Sequence, residues 1–189
     1  MNFKIYIVRH GRTKENYRGI ITGLLPGSLD KVGKKQAELL GKFLASKDIS
    51  IIFSSDLQRT IETTNILNSS FEIPAEVIYS ELLREVDFGD YTGKKIAEVD
   101  WNNLPENYEN FSQTTKRAQE FFTILKNKIK ERKFEGNVLI VTHRIFINAI
   151  ANTIGGLENE EMIEQENNSV NIITLDETFN TISHKKIHI

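Results

Sequence analysis

The sequence predicts an α/β protein built on a mostly parallel sheet that is covered on both faces. Strand-sized runs of β-branched and aromatic residues alternate with segments of helical period, as they do when crossover helices return the chain to a parallel sheet. The longest apolar runs, "IYIV", "VLIV" and "ISIIF", fall far short of the roughly 20 residues that span a bilayer. Hydrophobic residues make up 39% of the chain and charged ones 26%, a balance that excludes both a disordered chain and a membrane protein. At 189 residues the chain is long enough for one full core and short for two, so residues 1–189 are read as one domain.

The elements follow in order. Phe3–Val8 is the first strand. From Val32 the apolar positions Ala37, Leu40, Phe43 and Leu44 recur at helical spacing. Ile49–Phe53 is the second strand, and Leu57, Ile61 and Thr64 mark a helix behind "SSD", whose side chains are suited to capping its start. Residues 86–111, with two glycines, a proline and the only tryptophan, fit neither pattern and predict an irregular segment that folds over something. Ala118, Phe121, Phe122, Leu125 and Ile129 form the clearest helical stripe. Val138–Val141 is a strand, "IFINAIANTI" a helix closed by Gly155 and Gly156, and Val170–Leu175 the last strand. His184 and His188 fall in a C-terminal stretch expected at an exposed edge.

Composition narrows the chemistry. There is no cysteine, so a disulfide framework, a thiolate nucleophile and a Cys-ligated metal are excluded together. A formal charge of −2 supplies no general field for nucleic acid, and an anion site has to be built locally. The N-terminus lacks the long apolar stretch and cleavage site of a signal peptide, so no membrane association and a cytoplasmic setting are expected. No surface pattern assigns an oligomeric state.

Ligands of open parallel sheets collect at the carboxyl ends of the strands. His10 ends the first strand with Arg9 beside it, His143 follows "VLIVT", and Arg59 lies in the opening turn of a helix whose start offers free N–H groups. Two arginines, two imidazoles and a helix start would repel one another without an anion between them, and guanidinium forks match phosphoryl oxygens. A phosphate is the expected guest. No P-loop and no His-Glu-x-x-His is present, and arginines around the histidines disfavour a cation, so no metal and no cofactor are expected. A neutral imidazole can attack phosphorus directly. "ELLREVDFGDYTG" offers Glu81, Glu85 and Asp87 as the acid for the leaving group, since partial burial favours the protonated form that a general acid needs.

"VRHGRTKEN" resembles the signature of the histidine phosphatase superfamily, the phosphoglycerate-mutase-like family. "GSLDKVGKKQAELLGKFL", "IIFSSDLQRTIETTNIL", "ELLREVDFGDYTGK", "VLIVTH" and "NNSV" resemble its further blocks, in order along nearly the whole chain. The resemblance implies a three-layer αβα sandwich with a mainly parallel sheet and one antiparallel edge strand. It implies that His10 is the phosphorylated nucleophile, Arg9 and Arg59 the phosphate clamps, His143 a donor to the phosphoryl oxygens and Glu85 the proton donor. Asn16 matches a further contact in the phosphate pocket, and Thr22 and Gly23 fall near substrate-contacting positions.

Two stretches depart from the family pattern. Arg144 replaces the usual glycine after the second histidine, adding a cation near the pocket mouth that suits a substrate with a second anionic group. "GLLPGSLD" replaces the frequent Asp-x-Pro-Leu. The expected function is a metal-independent phosphomonoesterase that acts on a small phosphorylated metabolite through a phosphohistidine. A cofactor-dependent phosphoglycerate mutase is the alternative. The short stretch between Glu85 and the helix near Ser112 favours hydrolysis, because mutases of the family generally close over the phosphohistidine with longer insertions. An inactive phospho-ligand-binding protein is the alternative of another class, opposed by the presence of every catalytic group.

Overall fold

The structure, a computed structural model, describes residues 2–132, 136–155, 165–167 and 169–189. Its centre is a sheet of β1 (Phe3–Arg9), β2 (Ile49–Ser55), β3 (Glu76–Ser80), β4 (Asn137–Thr142), β5 (Ser169–Leu175) and β6 (Thr181–His188). They lie in the order β3-β2-β4-β1-β5-β6. The first four strands are mutually parallel, with Ile5 opposite Val138 and Phe53 opposite both Ile140 and Ile78. β5 runs antiparallel to β1 and to β6. The antiparallel strand is therefore second from the edge, where the family resemblance implied the edge itself, and β6 closes against it as a hairpin partner.

Alternate side chains of the strands build two cores. Ile5, Ile7, Phe53 and Ile140 meet Phe121, Leu125, Phe146 and Ile150, which lie on α4 (Phe111–Arg132) and α5 (Arg144–Gly155). On the other face Tyr6, Val8, Ile52 and Val141 pack with Leu40, Leu44 and Leu67 of α2 (Lys31–Leu44) and α3 (Gln58–Asn68). The predicted αβα layering follows. Two strands were not predicted, both at sheet edges. β6 reads "TISHKKIH" and is largely exposed, and β3 is short, with only Val77 and Ile78 packed against the two cores, so neither carries a long apolar run.

Other local expectations are corrected. The N-cap of α3 is Leu57, with no side-chain cap. Ser55 Oγ instead accepts from Leu57 N at 3.3 Å, and Asp56 receives Arg84 Nε at 2.7 Å. Gly155 is the last residue of α5, and Gly156 lies outside the described residues. His188 sits at the exposed edge, paired with Glu166 at 2.9 Å, but His184 is half-buried with Nε2 3.3 Å from Asn171 Oδ1. No helix among the described residues is long and apolar enough to cross a membrane.

Two glycines set the height of α2 over the strand ends. A Cβ on Gly11 would lie 2.4 Å from the carbonyl oxygen of Gly33, and one on Gly33 would lie 2.0 Å from that of Arg12. The helix thus rests directly on the backbone that follows β1. Asp30 caps α2 by accepting from Gly33 N at 2.7 Å and receives Arg12 Nε at 2.7 Å, which fixes the same junction from the side. In Gly33→Ala, better helix propensity gains about 1 kcal/mol, but overpacking against backbone costs about 1–3 kcal/mol. The expected net result is a less stable protein in urea unfolding; unchanged stability would mean that α2 can slide away without cost.

Candidate active site

The carboxyl ends of β1, β2 and β4 converge on one buried cluster. His10 follows β1 and is fixed at its backbone, where its N–H donates to Thr142 O at 3.0 Å and its carbonyl accepts from Asn167 Nδ2 at 2.6 Å. Gly11 N donates to Thr63 Oγ1 at 3.0 Å, tying the turn after β1 to α3. The imidazole Nδ1–H donates to the Gly11 carbonyl at 2.8 Å, which leaves the lone pair on Nε2. His143 follows β4, with Nε2 2.9 Å from Ser55 Oγ. The two rings stand 5.2 Å apart between centroids.

Arg59 enters between them from the first turn of α3. It is 1% exposed, and its Nε lies 3.2 Å from both His10 Nε2 and His143 Nδ1. The two ring nitrogens therefore face one point. The other end of the guanidinium is held by backbone carbonyls: Nη2 donates to Gly23 O at 2.8 Å, and Nη1 donates to Leu25 O and to Pro26 O. The "GLLPG" stretch that departs from the family pattern supplies all three acceptors, helped by a left-handed Gly23 at φ +48°, which suits glycine. Near the start of α3, Leu57 N donates to Ser55 and Arg59 N to Pro26 O. These N–H groups, expected to be free, already have partners.

Arg9 closes another side. Its Nη1 donates to Gln165 O at 3.0 Å, and among the described residues its buried Nε has no partner. Burial holds Arg9 and Arg59 down to about 10, partly offset by the Glu85 charge. Burial, and then Arg59, push both histidines well below the usual imidazole range, with Arg9 adding to the effect. Both imidazoles are therefore neutral at pH 7.

Of the three carboxylates considered, Glu85 alone lines the cavity of about 330 Å³ beside Arg9 and Arg59. Glu81 turns outward to Arg84 at 3.8 Å, and Asp87 accepts from Gly89 N at 2.9 Å. Glu85 is buried and sits at the start of α5, where its carboxylate accepts from Ile145 N at 3.4 Å and Phe146 N at 3.3 Å, and from Val86 N at 3.1 Å. Its loop is held by Arg117 of α4, a residue no sequence signal singled out. Arg117 donates to the carbonyls of Leu82 and Arg84 at 2.9 and 2.7 Å and forms a two-pronged ion pair with Glu109, both prongs 2.9 Å. The guanidinium carbon lies 4.1 Å from the Phe146 ring centroid. Ser55 and Asn167 were also missed as individual positions, although each lies in a block that carried the resemblance.

Asn16, Thr22, Gly23 and Arg144 also line the cavity. Asn16 belongs to α1 (Lys14–Tyr17), where it completes a capping box with Thr13. Thr22 Oγ1 lies 3.4 Å from Ile20 O. Arg144 is exposed at the first position of α5 and, with Arg9, also lines an adjoining polar cavity. Residues 86–111 form part of the cavity wall, through Phe88, Ile96, Trp101 and Tyr108, and include short 3₁₀ turns at Gly89–Tyr91 and Ile96–Glu98. Ile21 N donates to Lys94 O at 2.9 Å, and the Ile21 carbonyl accepts from Gly93 N at 2.8 Å. Ile21, Val86 and Phe88 form a small apolar cluster with Tyr108 and Ile145.

Neutral buried imidazoles link stability to pH. An unfolded histidine binds a proton near pH 6.5, while the folded His10 and His143 resist it, so the unfolded state takes up more protons as pH falls below that value. Stability is fully present above about pH 6.5 and declines below it, by up to about 1.4 kcal/mol per pH unit for each histidine. Urea unfolding at pH 7.5, 6.5 and 5.5 should show this decline, reduced in His10→Gln. A flat profile would mean that the fold accepts these protons.

With this geometry, comparison with known proteins is informative. The family model of the histidine phosphatase superfamily (branch 1) matches residues 5–187. A Schizosaccharomyces pombe protein described as a probable phosphatase is 36% identical over 124 residues, 63% of this chain and 58% of that one. Phosphoserine phosphatase 1 of Hydrogenobacter thermophilus is 27% identical over 192 residues, covering 95% of this chain and 90% of the other. A mycobacterial glucosyl-3-phosphoglycerate phosphatase, solved with vanadate, shares the fold with a TM-score of 0.83 at 21% identity, over 97% of each chain. The chain belongs to the histidine phosphatase superfamily, branch 1, and to its phosphatases.

Proposed function

We propose that the protein is a metal-independent phosphomonoesterase of the cytoplasm that cleaves a small phosphate ester through a phosphohistidine at His10. The observation that carries this reading is the fixed imidazole, whose Nδ1–H is committed to Gly11 O and whose Nε2 lone pair points at Arg59 Nε. A neutral, oriented ring is the form that attacks phosphorus. Spontaneous hydrolysis of phosphate monoesters is slow enough that the site must lower the barrier by roughly 20 kcal/mol or more, chiefly through prearranged charge and covalent attack.

For phosphorus to reach His10 Nε2, Arg59 Nε has to leave its place 3.2 Å from both ring nitrogens and donate, with Arg9 Nε, to the phosphoryl oxygens. Ser55 Oγ can accept from His143 Nε2 or donate to it. His143 can therefore present Nδ1 to Arg59, or an N–H to a phosphoryl oxygen, while staying neutral. His10 Nε2 bonds to phosphorus as the ester P–O bond breaks, and Glu85 passes to the alcohol oxygen a proton that it takes from the monoanionic ester on binding. Water then attacks the phosphohistidine, Glu85 takes back a proton, and the N–P bond breaks to release phosphate. Asn16, Thr22 and Arg144 complete the substrate's surroundings, whereas Gly23 acts by holding Arg59. Hydrolysis is favoured over mutase chemistry because residues 86–111 leave the mouth open, with Trp101 and Ile96 about half exposed.

Phosphate release from p-nitrophenyl phosphate in excess EDTA tests the proposal. The wild type should turn over and His10→Ala should lose nearly all activity with folding intact; near-normal activity in the variant would sink the mechanism. Glu85→Gln should lower kcat on alkyl phosphates by about 10²–10⁴ and act much less on p-nitrophenyl phosphate, whose phenolate leaves without a proton. Equal losses on both substrates would remove Glu85 from the role of acid.

A further inference from the structure

The cavity has two unlike ends. Arg9, Arg59 and Glu85 occupy one, and Arg144 belongs with them, since it shares with Arg9 the wall of the adjoining polar cavity as well. Asn16 and Thr22 add polar lining, and the rest of the wall is mainly apolar or aromatic, made chiefly by Ile20, Phe88, Ile96, Trp101 and Tyr108. Trp101 is held edge-on by Phe88 and Tyr91, at 6.2 and 5.9 Å between centroids, and Phe88 is met in the same way by Tyr108 at 5.7 Å. This aromatic row is fixed in place although Trp101 itself is 44% exposed. Among the described residues, this wall contributes no charged side chain that would meet a carboxylate, an ammonium or a second phosphate.

We infer that the substrate is a phosphomonoester whose alcohol part is apolar and flat, an aryl or arylalkyl group lying against Trp101, rather than a small polyanion or an amino acid. The inference rests on the phosphomonoesterase reading. A rigid apolar wall gains from each apolar group it removes from water, aromatic rings add preferred edge-to-face contacts, and an ionised alcohol part would lose hydration there without a partner. Arg144, near the phosphoryl end, contributes charge to the dianion and not to the alcohol.

The test compares esters of similar leaving-group acidity, so that chemistry does not mask binding: 2-phenylethyl phosphate, ethyl phosphate, glycerol 3-phosphate and phosphoserine, with p-nitrophenyl phosphate as the general probe. The expected kcat/KM for 2-phenylethyl phosphate exceeds those of ethyl phosphate, glycerol 3-phosphate and phosphoserine by about tenfold or more. Trp101→Ala should reduce the ratio of 2-phenylethyl to ethyl phosphate by fivefold or more, and Trp101→Phe should restore most of it. Preference for phosphoserine or glycerol 3-phosphate, or a ratio indifferent to Trp101, overturns the inference and leaves the phosphatase reading intact. Hydrolysis of none of the five esters by wild-type protein overturns both.

Discussion

A guanidinium carries five N–H donors and a charge that proteins do not neutralise, so burying one obliges the surrounding chain to supply acceptors in fixed directions. Arg59 is buried in this way at the centre of the molecule, and much of the site's arrangement follows from its demands. The loop before α2 turns three carbonyls inward to meet it. The two imidazoles turn their lone pairs toward its Nε. Removal of a charge from water is costly even after relaxation, by several kcal/mol, and Glu85, followed by Glu15, offsets part of that cost. In this geometry the Nε–H of Arg59 is aimed at the ring nitrogens of His10 and His143.

The second organising feature is a helix start that already has its anion. The Glu85 carboxylate accepts from backbone N–H groups at the beginning of α5, where the helix dipole favours negative charge. Arg117 and Glu109 hold the loop that carries it, and Glu109 also receives Asp87 N at 3.1 Å. The end of the irregular segment and the proposed acid are thereby fixed to one partly buried ion pair. The walls of the apolar cavity and the position of Glu85 are thus set together, which ties the space for the alcohol to the group that would protonate it.

Close backbone approach is the third constraint. Gly11 and Gly33 let α2 settle onto the turn that presents His10, and Thr63 of α3 holds the same turn from the other side. An imidazole placed by backbone contacts on two sides has little freedom to swing. That suits a group required both to attack phosphorus and to leave it.

The sequence by itself determined the alternation of strands and helices, the two-faced cores and the identities of His10, Arg9, Arg59 and His143. Each of these is written locally, as an apolar run, a helical spacing or a short block at a strand end. Choosing Glu85 over Glu81 and Asp87 drew on the family resemblance, and the cavity sets the same residue apart from its neighbours. The edge strands escaped because a five-residue strand or a largely exposed one leaves no long apolar run, and the capping role read into "SSD" failed because Arg84, distant in sequence, claims Asp56. Only the tertiary structure decided that the helix start with an anion is that of α5, that "GLLPG" is a set of carbonyls for Arg59, and that Arg117 positions the acid's loop. These contacts join residues about 30 or more apart in sequence, and a side chain's spacing along the chain carries no record of the backbone group it will meet across the fold.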